Sequence, residues 1–207
     1  MNKLITFEGI DGSGKSTQIK LLNEWFESKQ IQSKYIREPG GSNVSEMIRE
    51  ILLDSNNQIT SFSETLLFLA ARAQLVDEAI LPLLEKDQFV ICDRFIDSTV
   101  VYQGYGRGLD VELINNINSI ATKGFLPHLT IYININVELS IERRLLSSND
   151  RMESEGSSFL LNVKEGYDEL AHLYPDRIKV IDGNDSIINI QNQIRTIIKE
   201  KYKGCLW

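Results

Sequence analysis

The stretch FEGIDGSGKSTQI, residues 7–19, decides how the rest of the chain is read. Leu4, Ile5 and Thr6 precede it and, with Phe7 and Glu8, make the short apolar run that a strand buried on both faces requires. Ile19, Leu22 and Phe26 follow at helical spacing, so a strand runs into a helix through a loop containing Gly9, Gly12 and Gly14. From Gly9 to Ser16 the pattern is G-x-x-x-x-G-K-S. Glycines let such a loop turn successive backbone N–H groups inward, and the following helix brings the positive end of its dipole to the same place. Lys15 adds a point charge, and Ser16 offers a hydroxyl to a magnesium ion that shares oxygens with phosphate. A plain glycine turn with Ser16 as helix N-cap is the competing reading, and it leaves the lysine without a purpose. The loop reads as a nucleoside triphosphate site, with Gly9, Ile10, Asp11, Gly12, Ser13, Gly14, Lys15, Ser16 and Thr17 around ATP.

Outward from this loop, β-branched apolar runs recur at 33–36 (SKYI), 89–93 (FVICD), 129–135 (LTIYINI) and 178–182 (IKVID). Helical patterns lie between them. Leu66, Leu69, Ala73 and Val76 mark a helix over about 63–84 with Pro82 limiting its end, and Ile187, Ile190, Ile194 and Ile198 mark a closing helix. Alternation of this kind predicts an α/β fold: a five-stranded parallel sheet between two layers of helices. The 207 residues, 42% hydrophobic and 25% charged, suit one well-buried domain and are short for two, so 1–207 is read as a single domain. The polar segment at 147–158, SSNDRMESEGSS, reads as an exposed excursion rather than a boundary.

A net charge of −7 lacks the cationic footprint that holds a phosphate backbone, which argues against nucleic acid as a partner. No apolar run reaches the ~18–20 residues of a membrane span, and the first residues lack a secretory apolar core, so no membrane contact and a cytoplasmic location are expected. Cys92 and Cys205 have neither disulfide-framework nor zinc spacing and read as reduced thiols. His128 and His172 have no second ligand at metal spacing.

In open parallel sheets, ligands sit beyond the carboxyl ends of the strands. There the chain places YIREPGGSN, 35–43, and ICDRFIDSTVVYQGYGRG, 91–108. Arg37 with Glu38, and Asp93 with Arg94, arrive at that edge, where arginine can clamp a phosphate with paired hydrogen bonds and a carboxylate such as Asp93 can position a metal. Salt bridges within each pair are the bland alternative. Together with Lys15 they carry more positive charge than one triphosphate needs, which points to two phosphorylated ligands. Phe68 and Arg72 share a helix face one turn apart, as a base-stacking ring beside a base-reading guanidinium would. A kinase for another pyrimidine nucleotide or for a deoxynucleoside remains open, as does a nucleotide-dependent switch without transfer activity; no N-K-x-D element of a guanine-nucleotide switch occurs.

The ordered segments FEGIDGSGKST, REPGG, LLFLAARAQL, CDRFIDSTVVYQGYGRG, PHLTIYININ and DRME resemble the bacterial thymidylate kinase family across essentially the whole chain. That resemblance implies a three-layer P-loop kinase with a lid over about 143–158, Mg-ATP as phosphoryl donor, dTMP as acceptor in dTTP biosynthesis, and a homodimer. It implies that Lys15, Arg94 and the lid arginines Arg151 and Arg143, with Arg144 a further candidate, are catalytic, Arg143 also touching ATP. Arg94 and Arg49 would hold the acceptor phosphate. Phe68 would stack on thymine, Arg72 would bond its edge, and Ser98 and Gln103 would line the base site with Glu38, Pro39 and Thr99. Tyr102 would pack against the sugar, Asp11 would approach the 3′-hydroxyl, and Ser16 and Asp93 would serve the metal. The lid stretch RRLLSSNDR carries Leu146 and Ser147 where the family often has arginine and glycine, and Arg151 is the expected catalytic lid residue, ahead of Arg143.

Overall fold

In the computed structural model, residues 2–144, 151 and 156–204 are described. The strands are β1 (Leu4–Glu8), β2 (Ser33–Arg37), β3 (Phe89–Asp93), β4 (Leu129–Asn134) and β5 (Ile178–Asp182). All neighbours are parallel, in the order β2-β3-β1-β4-β5. The central strands β1, β3 and β4 are buried along nearly their whole length, as continuous apolar runs demand. The edge strands β2 and β5 differ from that expectation, because only one face of each is covered: Ile36 is buried while Tyr35 and Val180 are exposed.

Around the sheet lie α1 (Lys15–Ser28), α2 (Asn43–Leu53), α3 (Ser61–Leu75), α4 (Leu81–Glu85), α5 (Ile96–Thr99), α6 (Val111–Ala121), α7 (Val137–Arg144), α8 (Ser157–Leu173) and α9 (Ile187–Lys201). On one side α1 and α9 pack through Ile19, Leu22, Phe26, Ile190, Ile194 and Ile198 onto Phe7, Phe89 and Ile131. On the other, α8 and the stretch after α5 surround Tyr102, Tyr132, Val163 and Tyr167. Trp25 is buried in the first of these cores.

The helix expected over 63–84 begins at Ser61, capped by the Thr60 hydroxyl, and passes Pro82. A π-helical turn, Val76–Ile80, joins α3 to α4, and Pro82 sits in the first turn of α4. There its missing N–H interrupts a ladder the π turn has already rearranged. A second π-helical segment, Val100–Gly106, continues α5 and carries Tyr102 and Gln103. Most of the expected lid, 145–150 and 152–155, lies outside the described residues, as do the Arg144 side chain and the terminal 205–207.

Candidate active site

The phosphate loop is shaped by positions that tolerate only glycine. Gly9 has φ 141°, and a Cβ there would stand 2.6 Å from the Ile133 carbonyl of β4. Gly14, at φ 93°, is the N-cap of α1, with open space where its side chain would be. Behind the loop, Lys15 is buried, its Nζ donating to the Gly9 and Ile10 carbonyls at 3.0 and 3.1 Å. Burial, and then the Arg94 charge, lower the ammonium to about 8. Ser16 Oγ donates to Asp93 Oδ2 at 3.1 Å, joining the loop to the end of β3. From the other side α7 supports the loop, with Ser140 Oγ donating to the Asp11 carbonyl at 2.6 Å and Arg143 Nη1 to that of Gly12 at 2.8 Å.

Arg94 follows β3 at φ 72°, a left-handed conformation unusual for a side chain of this size. Its Nη2 donates to Asp11 Oδ1 and, at 3.1 Å, to the Tyr102 hydroxyl, while Nη1 reaches Ser98 Oγ at 3.0 Å. The guanidinium also lies 4.9 Å from the centre of the Tyr102 ring. Burial works to raise the Asp11 carboxyl, but Arg94 and Lys15 outweigh it and hold the group below its ordinary range. Beneath Arg94 sits Glu8, wholly buried, accepting from Ser98 Oγ at 2.6 Å, Tyr167 Oη at 2.8 Å and the Phe95 N–H at 2.8 Å. Burial, helped by the Asp97 charge, pushes Glu8 up to about 7.

Neither adjacent acid–base pair bridges within itself. Arg37 pairs with Glu46, Glu38 with Arg72, Asp93 accepts from Ser16 and Arg94 pairs with Asp11. Arg72 is 2% exposed, and its donors reach Glu38, Thr99 Oγ1, Asn118 Oδ1 and the Phe95 carbonyl. Burial raises the Glu38 carboxyl against the pull of Arg72. Arg49 Nη1 donates to the Pro39 carbonyl at 2.9 Å.

One cleft of about 740 Å³ collects these groups at the carboxyl ends of the strands. At one end are Phe68, Arg72, Glu38, Pro39, Arg49, Thr99 and Gln103; in the middle are Arg94, Ser98, Tyr102, Asp93 and the loop from Asp11 to Thr17; Arg143, Gly183, Asp185 and Ile187 lie toward the other end. Gly9 and Ile10 are buried behind the loop and do not line the cleft. Arg151 stands apart from the expected position over the donor phosphates. Its Nη1 lies 2.6 Å from Glu64 on α3, and its Nε donates to the Leu52 carbonyl at 2.7 Å. Glu64 was not legible in the sequence, nor was Tyr167 of α8, because each acts only through residues far away along the chain. Gly183, Asp185 and Ile187 had no motif to flag them either.

The Ser16–Asp93 pair suits a magnesium ion: a hydroxyl and a carboxylate meet at the phosphate loop, leaving the remaining oxygens to phosphate and water.

A family model described as thymidylate kinase matches residues 7–194. The chain is 48% identical over 202 residues to a thymidylate kinase of Caldanaerobacter subterraneus subsp. tengcongensis, covering 98% of this chain and 97% of that protein. It is 47% identical to one of Kosmotoga olearia, covering 92% of each. Among solved structures, the crystal structure of thymidylate kinase from Ehrlichia chaffeensis is similar with a TM-score of 0.80 at 35% identity, over 96% of this chain and 98% of that one.

Proposed function

Because the chain belongs to the thymidylate kinase family, its reaction is transfer of the terminal phosphate of ATP to dTMP, and we propose how the residues of the cleft divide that work. The observation that carries the proposal is that a phosphate-binding loop and a buttressed arginine, Arg94, open onto one cleft of about 740 Å³. ATP lies with its phosphates in the loop and its base toward Gly183 and Ile187. The acceptor lies with its base between Phe68 and Arg72 and its phosphate between Arg49 and Arg94.

Phosphoryl transfer asks for alignment and for donors aimed at developing charge. An oxygen of the dTMP phosphate attacks the terminal phosphorus of ATP; the bond to the bridging oxygen breaks, and ADP leaves with that electron pair. The attacking oxygen is already anionic, so no general base is assigned. Lys15 holds the outer phosphates and Arg94 the acceptor phosphate. Asp11 fixes Arg94 and lies where a sugar hydroxyl can donate to it. Tyr102 supports the sugar, and Ser98, Thr99 and Gln103 line the base site. Arg143, at the loop's rim, approaches the donor phosphates. Magnesium held by Ser16 and Asp93 would screen the donor phosphates' charge.

The homodimer is supported by an apolar face with no partner among the described residues: Val44, Met47 and Ile51 of α2 and Phe62 and Leu66 of α3 are all exposed on adjacent helices. No helix among the described residues is long and apolar enough to cross a membrane, and we place the enzyme in the cytoplasm, with its substrates.

A panel of nucleoside monophosphates incubated with Mg-ATP tests the function. ADP should form fastest with dTMP, whereas release with thymidine in preference to dTMP would favour the nucleoside-kinase reading, and none with any pyrimidine monophosphate would overturn transferase activity.

A further inference from the structure

Glu64 touches no part of the cleft, yet it gathers three side chains from behind it. It is wholly buried on α3 and accepts from Gln103 Nε2 at 3.0 Å, from Arg107 Nε and Nη2 at 3.2 Å each, and from Arg151 Nη1 at 2.6 Å. Arg107, for which the sequence offers no role, is held there with its guanidinium 4.9 Å from the Phe159 ring centre. Burial alone would raise Glu64, but its bonds to Arg107, Gln103 and Arg151 keep it below the ordinary carboxylate range. The group is therefore an ionised acceptor with no proton to give.

An ionised carboxylate dictates which way round a neighbouring amide must lie. The amide of Gln103 has a donating and an accepting edge, and only the donating edge can face Glu64. Gln103 itself lines the cleft, beside Phe68 and Arg72. We propose that Glu64 is a specificity-determining positioning residue: by engaging Gln103 Nε2 it leaves Gln103 Oε1 as the acceptor offered to the base, selecting pyrimidines that carry an N3–H. Thymine and uracil carry that donor. Cytosine presents an acceptor at N3, which would face another acceptor on Gln103, a residue only 2% exposed. A buried mismatch of that kind discriminates far more strongly than a change in apolar size. The inference rests on the placement of the acceptor base beside Gln103.

The experiment is the ratio of kcat/KM for dTMP to that for dCMP. Glu64→Gln keeps the shape but can donate or accept, so the Gln103 amide is free to turn. The ratio should fall about tenfold or more. The double variant Glu64→Gln/Gln103→Glu exchanges donor and acceptor across the same contact and should restore it. Gln103→Ala tests the underlying reading. An unchanged ratio in that variant means the base lies elsewhere and sinks both ideas. A collapsed ratio there, beside an unchanged one in Glu64→Gln, refutes only the role of Glu64. If the Glu64 variants fail to fold, the natural protein still decides: the Gln103 side-chain amide in 15N-labelled protein should exchange slowly with solvent before and after dTMP is added, and fast exchange in both states overturns the proposal.

Discussion

Asp11 of the phosphate loop and Arg94 at the end of β3 form an ion pair in the cleft, with side chains 22% and 17% exposed. The two come from different strand ends, so the pair ties the loop after β1 to the end of β3. Replacing Arg94 by alanine should lower kcat/KM for dTMP by about 10³, while ATP affinity changes little. Steady-state kinetics with a nucleotide-binding titration would check this, and near-normal turnover would remove Arg94 from the mechanism.

Glu8 makes stability depend on pH in a direction opposite to that of most paired carboxylates. Its folded pKa of about 7 exceeds the ordinary 4.5, so between these values the native state binds the extra proton. The stabilisation is complete below pH 4.5 and lost by about pH 7, a difference on the order of 3 kcal/mol. Denaturant melts of the natural protein and Glu8→Gln at pH 5 and pH 8 should show the variant gaining relative stability at the higher pH. Parallel curves would contradict the raised pKa.

Removing the Arg72 side chain leaves Glu38 buried without its charge partner and strips donors from Thr99, Asn118 and the Phe95 carbonyl. Arg72→Ala should cost about 3–5 kcal/mol, and Arg72→Lys should rescue little because one ammonium cannot span four acceptors. Thermal denaturation is the measurement; a melting temperature within a few degrees of normal would contradict it.

Two arginines of the expected lid, Arg143 and Arg151, should separate in kinetics. Arg143 reaches the phosphate loop at Gly12, whereas Arg151 is bound to Glu64 and Leu52. Arg143→Ala should lower kcat at saturating substrates by tenfold or more, consistent with loss of a donor aimed at the transferring group. Arg151→Ala should act mainly on stability and dTMP KM. The reverse pattern would return the catalytic role to Arg151.

The exposed α2–α3 face predicts that Met47→Glu or Leu66→Glu shifts the protein from dimer to monomer. Light scattering behind a sizing column distinguishes them, and a natural protein that is monomeric at micromolar concentration would dispose of this interface.

What the sequence made legible was local. A strand, glycines at positive φ and a lysine lie within one short stretch, and buried strands announce themselves by apolar runs. Even the helix that brings Phe68 and Arg72 to the cleft was visible, since the two are four residues apart. What escaped was made by folding. Tyr167 reaches Glu8 across 159 positions of sequence, and Gln103 reaches Glu64 across 39, with no periodicity to couple them. Pro82 marked the end of the helical stretch, which stops at Glu85, but nothing in the sequence announced the π turn just before it. Ser98 lies within α5 with its hydroxyl on Glu8, a contact made across 90 positions of sequence.

The sheet order has a consequence for biosynthesis. β1 leaves the ribosome first, yet both its neighbours, β3 and β4, are encoded much later, ending at Asp93 and Asn134. At about 5–20 residues per second, its ladder edges stay unpaired for several seconds of translation. The nascent chain therefore cannot build its nucleotide pocket piecemeal: the loop after β1 acquires its full support only once β3 and β4 have both been made.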